Sequence, residues 1–260
     1  MEIITNFLKA NLKKLLFGKR RIYVRKGKMV EQNIESKYLQ EKLSLKIYTP
    51  EDYSPFQQYN LCLMQDGNDY YQMGRVATIS DQLHEDGEIE HTIFVGIHYQ
   101  DRYDRRKKYH PDGEQFQTYI QFIIKEVVPF LDENYQIRTP RILMGDSLAG
   151  TLAFMIASKY PHIFSKIMIQ SPYIDQTVLQ QAKNSKNISL LDIYHTIGED
   201  ETAVKTTDGK IVDFLTPNRS LSNILSQTAS SYEYKEIESG KHTWGYWQKD
   251  LPTALKYILR

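Results

Sequence analysis

The chain has 260 residues with 33 basic and 32 acidic side chains, and its formal net charge of +1 gives no case for a nucleic-acid partner. Hydrophobic residues make up 41% of it, enough for a sizeable core, and the length suits one α/β domain or two small ones. A single cysteine, Cys62, excludes an intramolecular disulfide, and no run approaches the roughly 18 apolar residues that span a bilayer.

Taken in order, residues 1–21 read as an amphipathic helical segment. Phe7, Leu8, Leu12, Leu15 and Leu16 share one stripe, with Lys9, Lys13 and Lys14 elsewhere. Such a helix lies on a membrane surface or, as preferred here, packs on its own domain or on a sister subunit, which leaves a homodimer open. The start lacks the basic n-region and long apolar core of a secretory signal. A cytoplasmic protein without stable membrane insertion is expected.

Residues 22–260 read as one domain with no linker and no repeat. Residues 22–24, 28–35 and 43–48 look like opening antiparallel strands, and 60–65 and 92–99 like buried parallel ones. Cys62 sits in the first of these buried runs as apolar filler. The stretch 101–109 is basic and aromatic; it is either a pocket rim for an anionic or aryl group or a solvated charged loop. Residues 116–135 have helical spacing, which Pro129 should kink or shorten. A strand at 141–144 leads to a helix at 151–160, and 166–169 continues the sheet. Residues 173–186 suit a small cap over a pocket, 190–197 a strand, 217–228 a helix, 232–237 a last strand and 247–259 a terminal helix. Alternating strands and helices argue for a mainly parallel sheet covered on both faces.

The chemistry concentrates at three strand ends. Gly145-Asp146-Ser147-Leu148-Ala149-Gly150 joins a strand to a helix. A serine between small residues on such a sharp turn exposes its hydroxyl at the rim of the sheet. Ala149 stands where a second glycine is usual. Gly198-Glu199-Asp200-Glu201 follows a later strand, and Ser239-Gly240-Lys241-His242-Thr243-Trp244 follows the last one. Serine, acid and histidine thus occur in the chain order of a hydrolytic triad. His242 is the candidate base; His98 precedes the serine, which is the wrong order, and His195 lies inside a strand as a structural residue. Glu201 is preferred as the acid over Asp200. The N–H groups of Leu148 and of Asn68, in the loop Gln65-Asp66-Gly67-Asn68-Asp69, are the candidate oxyanion donors. Trp244 and Trp247 flank His242 and either wall a pocket or pin the terminal helix. No cluster of His, Cys and Glu has metal spacing, and no glycine pattern cradles a phosphate, so neither metal nor cofactor is expected.

These segments, together with Asp66-Gly67-Asn68-Asp69-Tyr70, Arg105-Arg106-Lys107-Lys108-Tyr109-His110-Pro111, Asp213-Phe214 and Asn218-Arg219, resemble the putative-esterase branch of the α/β-hydrolases. That branch includes esterase D-like enzymes, ferric-siderophore trilactone esterases, feruloyl and acetyl-xylan esterases and mycolyltransferases. The resemblance runs from about Ser44 to the end. It implies an α/β-hydrolase fold of one domain, Ser147 as nucleophile, His242 as base, Glu201 as acid, and Asn68 and Leu148 as oxyanion donors. Some siderophore esterases of the branch work with a Ser–His dyad, which leaves the role of Glu201 open.

The expected activity is hydrolysis of a small acyl or aryl ester through an acyl-enzyme. Arg102, Arg105, Arg106, Tyr109 and Trp244 are the candidate substrate contacts. A ferric-siderophore trilactone is the alternative substrate, motivated by the three arginines. An inactive binding protein of the same fold is the alternative from another class, motivated by the N-terminal helix and Ala149.

Overall fold

The computed structural model describes residues 24–207 and 209–259. The helix expected at 1–21 lies outside them, as do two residues of the strand expected at 22–24; Val24 itself is not in a strand. The sheet opens with an antiparallel pair, β1 (Lys28–Ser36) and β2 (Glu41–Thr49). Then β3 (Asn60–Met64), α1 (Gly67–Gln72), α2 (Val76–Glu85) and β4 (Thr92–Ile97) form the first crossover. Next come α3 (Arg102–Tyr109), α4 (Phe116–Phe122), a π-helical turn (Ile123–Val127), α5 (Val128–Asn134) and β5 (Arg141–Asp146). The second half runs through α6 (Ser147–Lys159), β6 (Phe164–Gln170), α7 (Gln176–Asn184) and β7 (Asp192–Gly198). A small ribbon of β8 (Val204–Lys205) and β9 (Ile211–Val212) precedes α8 (Leu215–Thr228), β10 (Ser231–Ile237) and α9 (Trp244–Ile258).

Among the described residues, eight strands form one sheet in the order β1-β2-β4-β3-β5-β6-β7-β10. All neighbours from β4 to β10 are parallel, and only β2 meets both its partners antiparallel. The α/β-hydrolase fold expected from the sequence is the fold observed.

Both faces of the sheet are covered, because successive residues of a strand point to opposite sides. On one face Leu61, Leu63, Leu143 and Ile167 pack with Phe122, Leu152, Phe154 and Leu221. On the other, Cys62, Met64, Ile142 and Met144 pack with Tyr70, Val76, Leu251 and Leu255. Cys62 is fully buried, and burial pushes its thiol up out of reach of reactivity. Among the described residues, no helix is long and apolar enough to cross a membrane.

Two expected elements differ in form. Pro129 does not break its helix: the chain takes up a π-helical turn just before it, and the proline falls in the first turn of α5, where a missing N–H costs least. The charged stretch 101–109 is mostly helix. The Asp101 carboxylate caps α3 by accepting from the Tyr103 and Asp104 N–H groups, and Lys108 is buried between Asp104 and Glu41. Residues 173–186 give α7, which packs on α6 and α8 instead of forming a detached cap.

His195 shows how a polar residue is held in this core. Its Nδ1 accepts from the Tyr232 hydroxyl at 2.8 Å and its Nε2–H donates to Asn218 Oδ1 at 2.7 Å, which fits the neutral ring. Burial pushes its pKa down from 6.5 to about 4. The unfolded chain therefore takes up this proton first, and the stability present above 6.5 is lost as pH falls toward 4. Urea unfolding at pH 5 should show about 2 kcal/mol less stability from this group than at pH 7.5. His195→Gln should flatten that part of the pH dependence; an unchanged slope contradicts the assignment.

Candidate active site

Ser147 sits at the carboxyl end of β5 and opens α6, with φ at 51°, in the left-handed region. A side chain there costs on the order of 1–3 kcal/mol and is kept only where the surroundings enforce it. The turn is tight beneath the serine. A Cβ on Gly145 would lie 2.3 Å from the Ala149 carbonyl and 2.6 Å from the Gly150 nitrogen. The close approach therefore falls on Gly145, and the Ala149 side chain is itself fully buried. This explains why alanine serves at the position where a second glycine is usual.

The acid and the histidine are brought together by a second close approach. A Cβ on Gly198 would lie 2.3 Å from the Gly240 carbonyl oxygen, so the loops after β7 and β10 touch through their backbones. The Asp200 N–H donates to the Gly240 carbonyl and the Glu199 N–H to that of Ile237. Above this contact, His242 Nδ1 lies 2.6 Å from Glu201 Oε2, and its Nε2 lies 2.9 Å from Ser147 Oγ. Glu201 is 1% exposed, and its other oxygen accepts from the Ser171 hydroxyl at 2.6 Å and the Gly198 N–H at 2.9 Å. The Ser171 oxygen in turn accepts from the Trp247 indole N–H. The carboxylate is thus fixed in direction and kept from water. The Phe214 ring lies 4.4 Å from the imidazole, and the Trp247 ring meets it edge-on at 5.0 Å. Asp200 is exposed and makes only the backbone bond.

Leu148 is the second residue of α6 and Asn68 the second of α1, so neither N–H has an intrahelical acceptor. β3 and β5 are neighbours, which sets the two helix starts side by side. The Asn68 side chain accepts from Lys46 Nζ at 2.6 Å. A cleft of about 270 Å³ opens beside Asn68, with Lys46, His98 and Tyr99 on its walls.

Behind the serine lies an ion pair whose partners are far apart in the chain. Arg105 donates through Nε and an Nη to the buried Asp66 carboxylate, at 2.6–3.1 Å, and sits over the rings of Tyr99 and Tyr109. Burial, then the nearby Asp66, pushes Asp146 well above the ordinary carboxylate range, and the same causes raise Asp69.

The five candidate substrate contacts separate on inspection. Arg105 is committed to Asp66, and Tyr109 is buried in the core. Arg106 faces Asp112, while Arg102 reaches the Tyr103 hydroxyl and the Thr207 carbonyl on the exposed side of α3. Trp244 packs edge-on against Tyr70 and Trp247, which pins the start of α9. Ser171, Phe214 and the Asp66–Arg105 pair were not identified from sequence as parts of the site. Asp66, Arg105 and Phe214 lie in segments that the sequence singles out, and Ser171 does not. Among the described residues, none around Ser147 forms a metal-ligating group. Among the described residues, one such group does form, Asp52 with His84 and His91, where the sequence spacing gave no sign of it.

Residues 36–258 match the family model described as "Putative esterase". The chain is 43% identical over 236 residues to the uncharacterized protein YjcH of Bacillus subtilis (strain 168), covering 90% of this chain and 98% of that one. Among solved structures it resembles a ferulic acid esterase, with a TM-score of 0.74 and 16% identity over 91% of this chain and 99% of the other. It resembles the BES protein from Bacillus cereus, with a TM-score of 0.72 and 20% identity over 94% and 98% of the two chains. The enterobactin esterase FES from Shigella flexneri gives a TM-score of 0.79 at 17% identity, over 93% of this chain and 61% of that one. At such identities the structures share the fold with this chain.

Two substitutions test the geometry. Gly198→Ala should force the two loops apart, and a displacement near 1 Å at the imidazole should lower kcat/KM for p-nitrophenyl acetate by roughly 100-fold. Near-normal turnover in a folded variant would contradict the close approach. Arg105→Met leaves the Asp66 carboxylate buried and unpaired. Urea unfolding should show a loss of about 3–5 kcal/mol.

Proposed function

The chain belongs to the putative-esterase family, and from that premise we propose that it is a serine carboxylester hydrolase acting on a small acyl or aryl ester. The observation that carries the reading is the unbroken line from Glu201 through His242 to the Ser147 oxygen, at 2.6 and 2.9 Å. In this reading His242 Nε2 takes the hydroxyl proton as Ser147 Oγ attacks the ester carbonyl. Glu201 holds the ring in the tautomer with its proton on Nδ1 and stabilises the imidazolium that forms. The N–H groups of Leu148 and Asn68 receive the oxyanion. The imidazolium then gives its proton to the departing alcohol, leaving an acyl-serine. Water, deprotonated by the same ring, attacks that acyl group, and the carboxylic acid leaves with the serine restored.

The preference for a small acyl or aryl group rests on the family likeness, since the polar cleft touches the proposed site only at Asn68. The trilactone alternative is not favoured. It rested on Arg102, Arg105 and Arg106 as free cations, and the latter two are engaged with Asp66 and Asp112. The inactive-protein alternative loses its footing at Ala149, whose buried methyl is compatible with the turn. A cytoplasmic setting belongs to the same proposal and rests on the single, buried thiol.

Ser147→Ala should lower kcat for a p-nitrophenyl ester by roughly 10⁴-fold, as removal of a triad member does. A panel varying acyl and alcohol groups should show short acyl esters cleaved best. Retained turnover in the alanine variant refutes the proposal, and exclusive cleavage of trilactones would restore the alternative.

A further inference from the structure

Far from the serine, three side chains that the sequence keeps apart meet at one point. Asp52 lies in the turn after β2, His84 in the last turn of α2, and His91 directly before β4. One ligand atom from each lies within 4.8 Å of the other two. We propose that Asp52, His84 and His91 form a zinc site, with two imidazole nitrogens, one carboxylate oxygen and a water completing a tetrahedron.

The geometry is close to what the ion requires. Zinc–nitrogen and zinc–oxygen bonds of about 2.0–2.2 Å put neighbouring ligand atoms of a tetrahedron roughly 3.3–3.5 Å apart. His91 Nε2 and Asp52 Oδ2 are already 3.2 Å apart. The separations to His84 are within 4.8 Å, and the Asp52 side chain, 62% exposed, can turn without disturbing the core.

The His84 imidazole and the His91 backbone are held in place, while the buried His91 Nδ1 has no hydrogen-bond partner among the described residues. His84 Nδ1 lies 3.3 Å from the Ile89 carbonyl, an arrangement that directs the proton to Nδ1 and leaves the Nε2 lone pair for a metal. The His91 carbonyl accepts from the Asn60 N–H at 3.1 Å, which ties its backbone to the start of β3. The two ring centroids are 3.6 Å apart, so the imidazoles already face one small volume. A neighbouring cation, Arg138, is taken up by Glu90 at 2.8 Å and by the Asn60 side chain.

The donor set decides the class of ion. Two imidazoles with one carboxylate suit zinc and its transition-metal neighbours, whereas magnesium and calcium seek oxygen. The site lies at the amino end of β4, and Ser147 at the carboxyl end of β5, on the opposite rim of a parallel sheet. A strand of this length separates the rims by about 20 Å. The ion would therefore tie the turn after β2 to the link between α2 and β4 and would take no part at the serine.

The full, untagged chain, stripped with EDTA, should take up one equivalent of zinc by equilibrium dialysis with elemental analysis. Co²⁺ in its place should give the intense visible bands of a four-coordinate N/O site. His91→Gln should weaken zinc binding by roughly 100-fold, a loss at the upper end of that seen for disturbed ligand shells. Asp52→Asn, in an exposed turn, should weaken it too without affecting the fold, so that an unstable histidine variant does not leave the question open. Both variants should keep wild-type ester hydrolysis. Absence of saturable uptake, or an unchanged zinc affinity in either variant, overturns the site.

Discussion

The site hangs on the contact between two glycines. Gly198 and Gly240 bring the ends of β7 and β10 together more closely than any side chain would permit. Only at that separation can a histidine from one loop lie against a carboxylate from the other. The carboxylate is then held by Ser171 and the Gly198 N–H, so the imidazole is aimed from behind at the serine oxygen. Backbone proximity therefore comes first and side-chain geometry follows from it. Each hydrogen bond in the line is worth little net stability alone; its value is direction, because the loops have already met the entropy cost of alignment.

Strain is gathered at the same rim. Asp66, Ser147, Ser171 and Ser239 all have positive φ, between 46° and 56°, and they follow β3, β5, β6 and β10 respectively. Serine and aspartate are short and polar, and the left-handed region costs aspartate less than it costs most side chains. The rigid sheet enforces these bends, and the bends turn the hydroxyl groups, the acid loop and the helix starts toward one volume. The Asp66–Arg105 pair serves the same end. It anchors the turn after β3, and an Arg105 Nη lies 3.5 Å from the Asp146 carbonyl next to the serine. Two of the four strained turns are thereby linked by one guanidinium.

Much of this was legible in the chain. The strands at 60–65 and 92–99 were plain because buried parallel strands are continuously apolar, and Ser147, Glu201 and His242 were legible from order and strand-end position alone. Of the two candidate acids, Glu201 is the one whose carboxylate lies against His242. What stayed hidden depends on contacts across the sequence. The run 101–109 lacks apolar periodicity, so nothing announced a helix; its cap and its buried Lys108 pair supply the stability instead. Arg105 read as a free cation because its partner Asp66 is far off in sequence. Ser171 carries no local pattern, and its role arises only where β6 ends beside β7. Pro129 read as a kink or an early end because a π-helical turn cannot be foreseen from spacing. Asp52, His84 and His91 share no spacing at all, and only the return of β4 beside β3 unites them.

The central claim is that Ser147 alone is made reactive by this constellation. The most direct measurement is labelling of the full chain with a fluorophosphonate, followed by peptide mapping by mass spectrometry, in parallel with a His242→Ala chain. The account predicts one stoichiometric adduct, on Ser147, formed far more slowly without the imidazole. An adduct on another residue, no adduct on a folded chain, or equal labelling in both chains would contradict it.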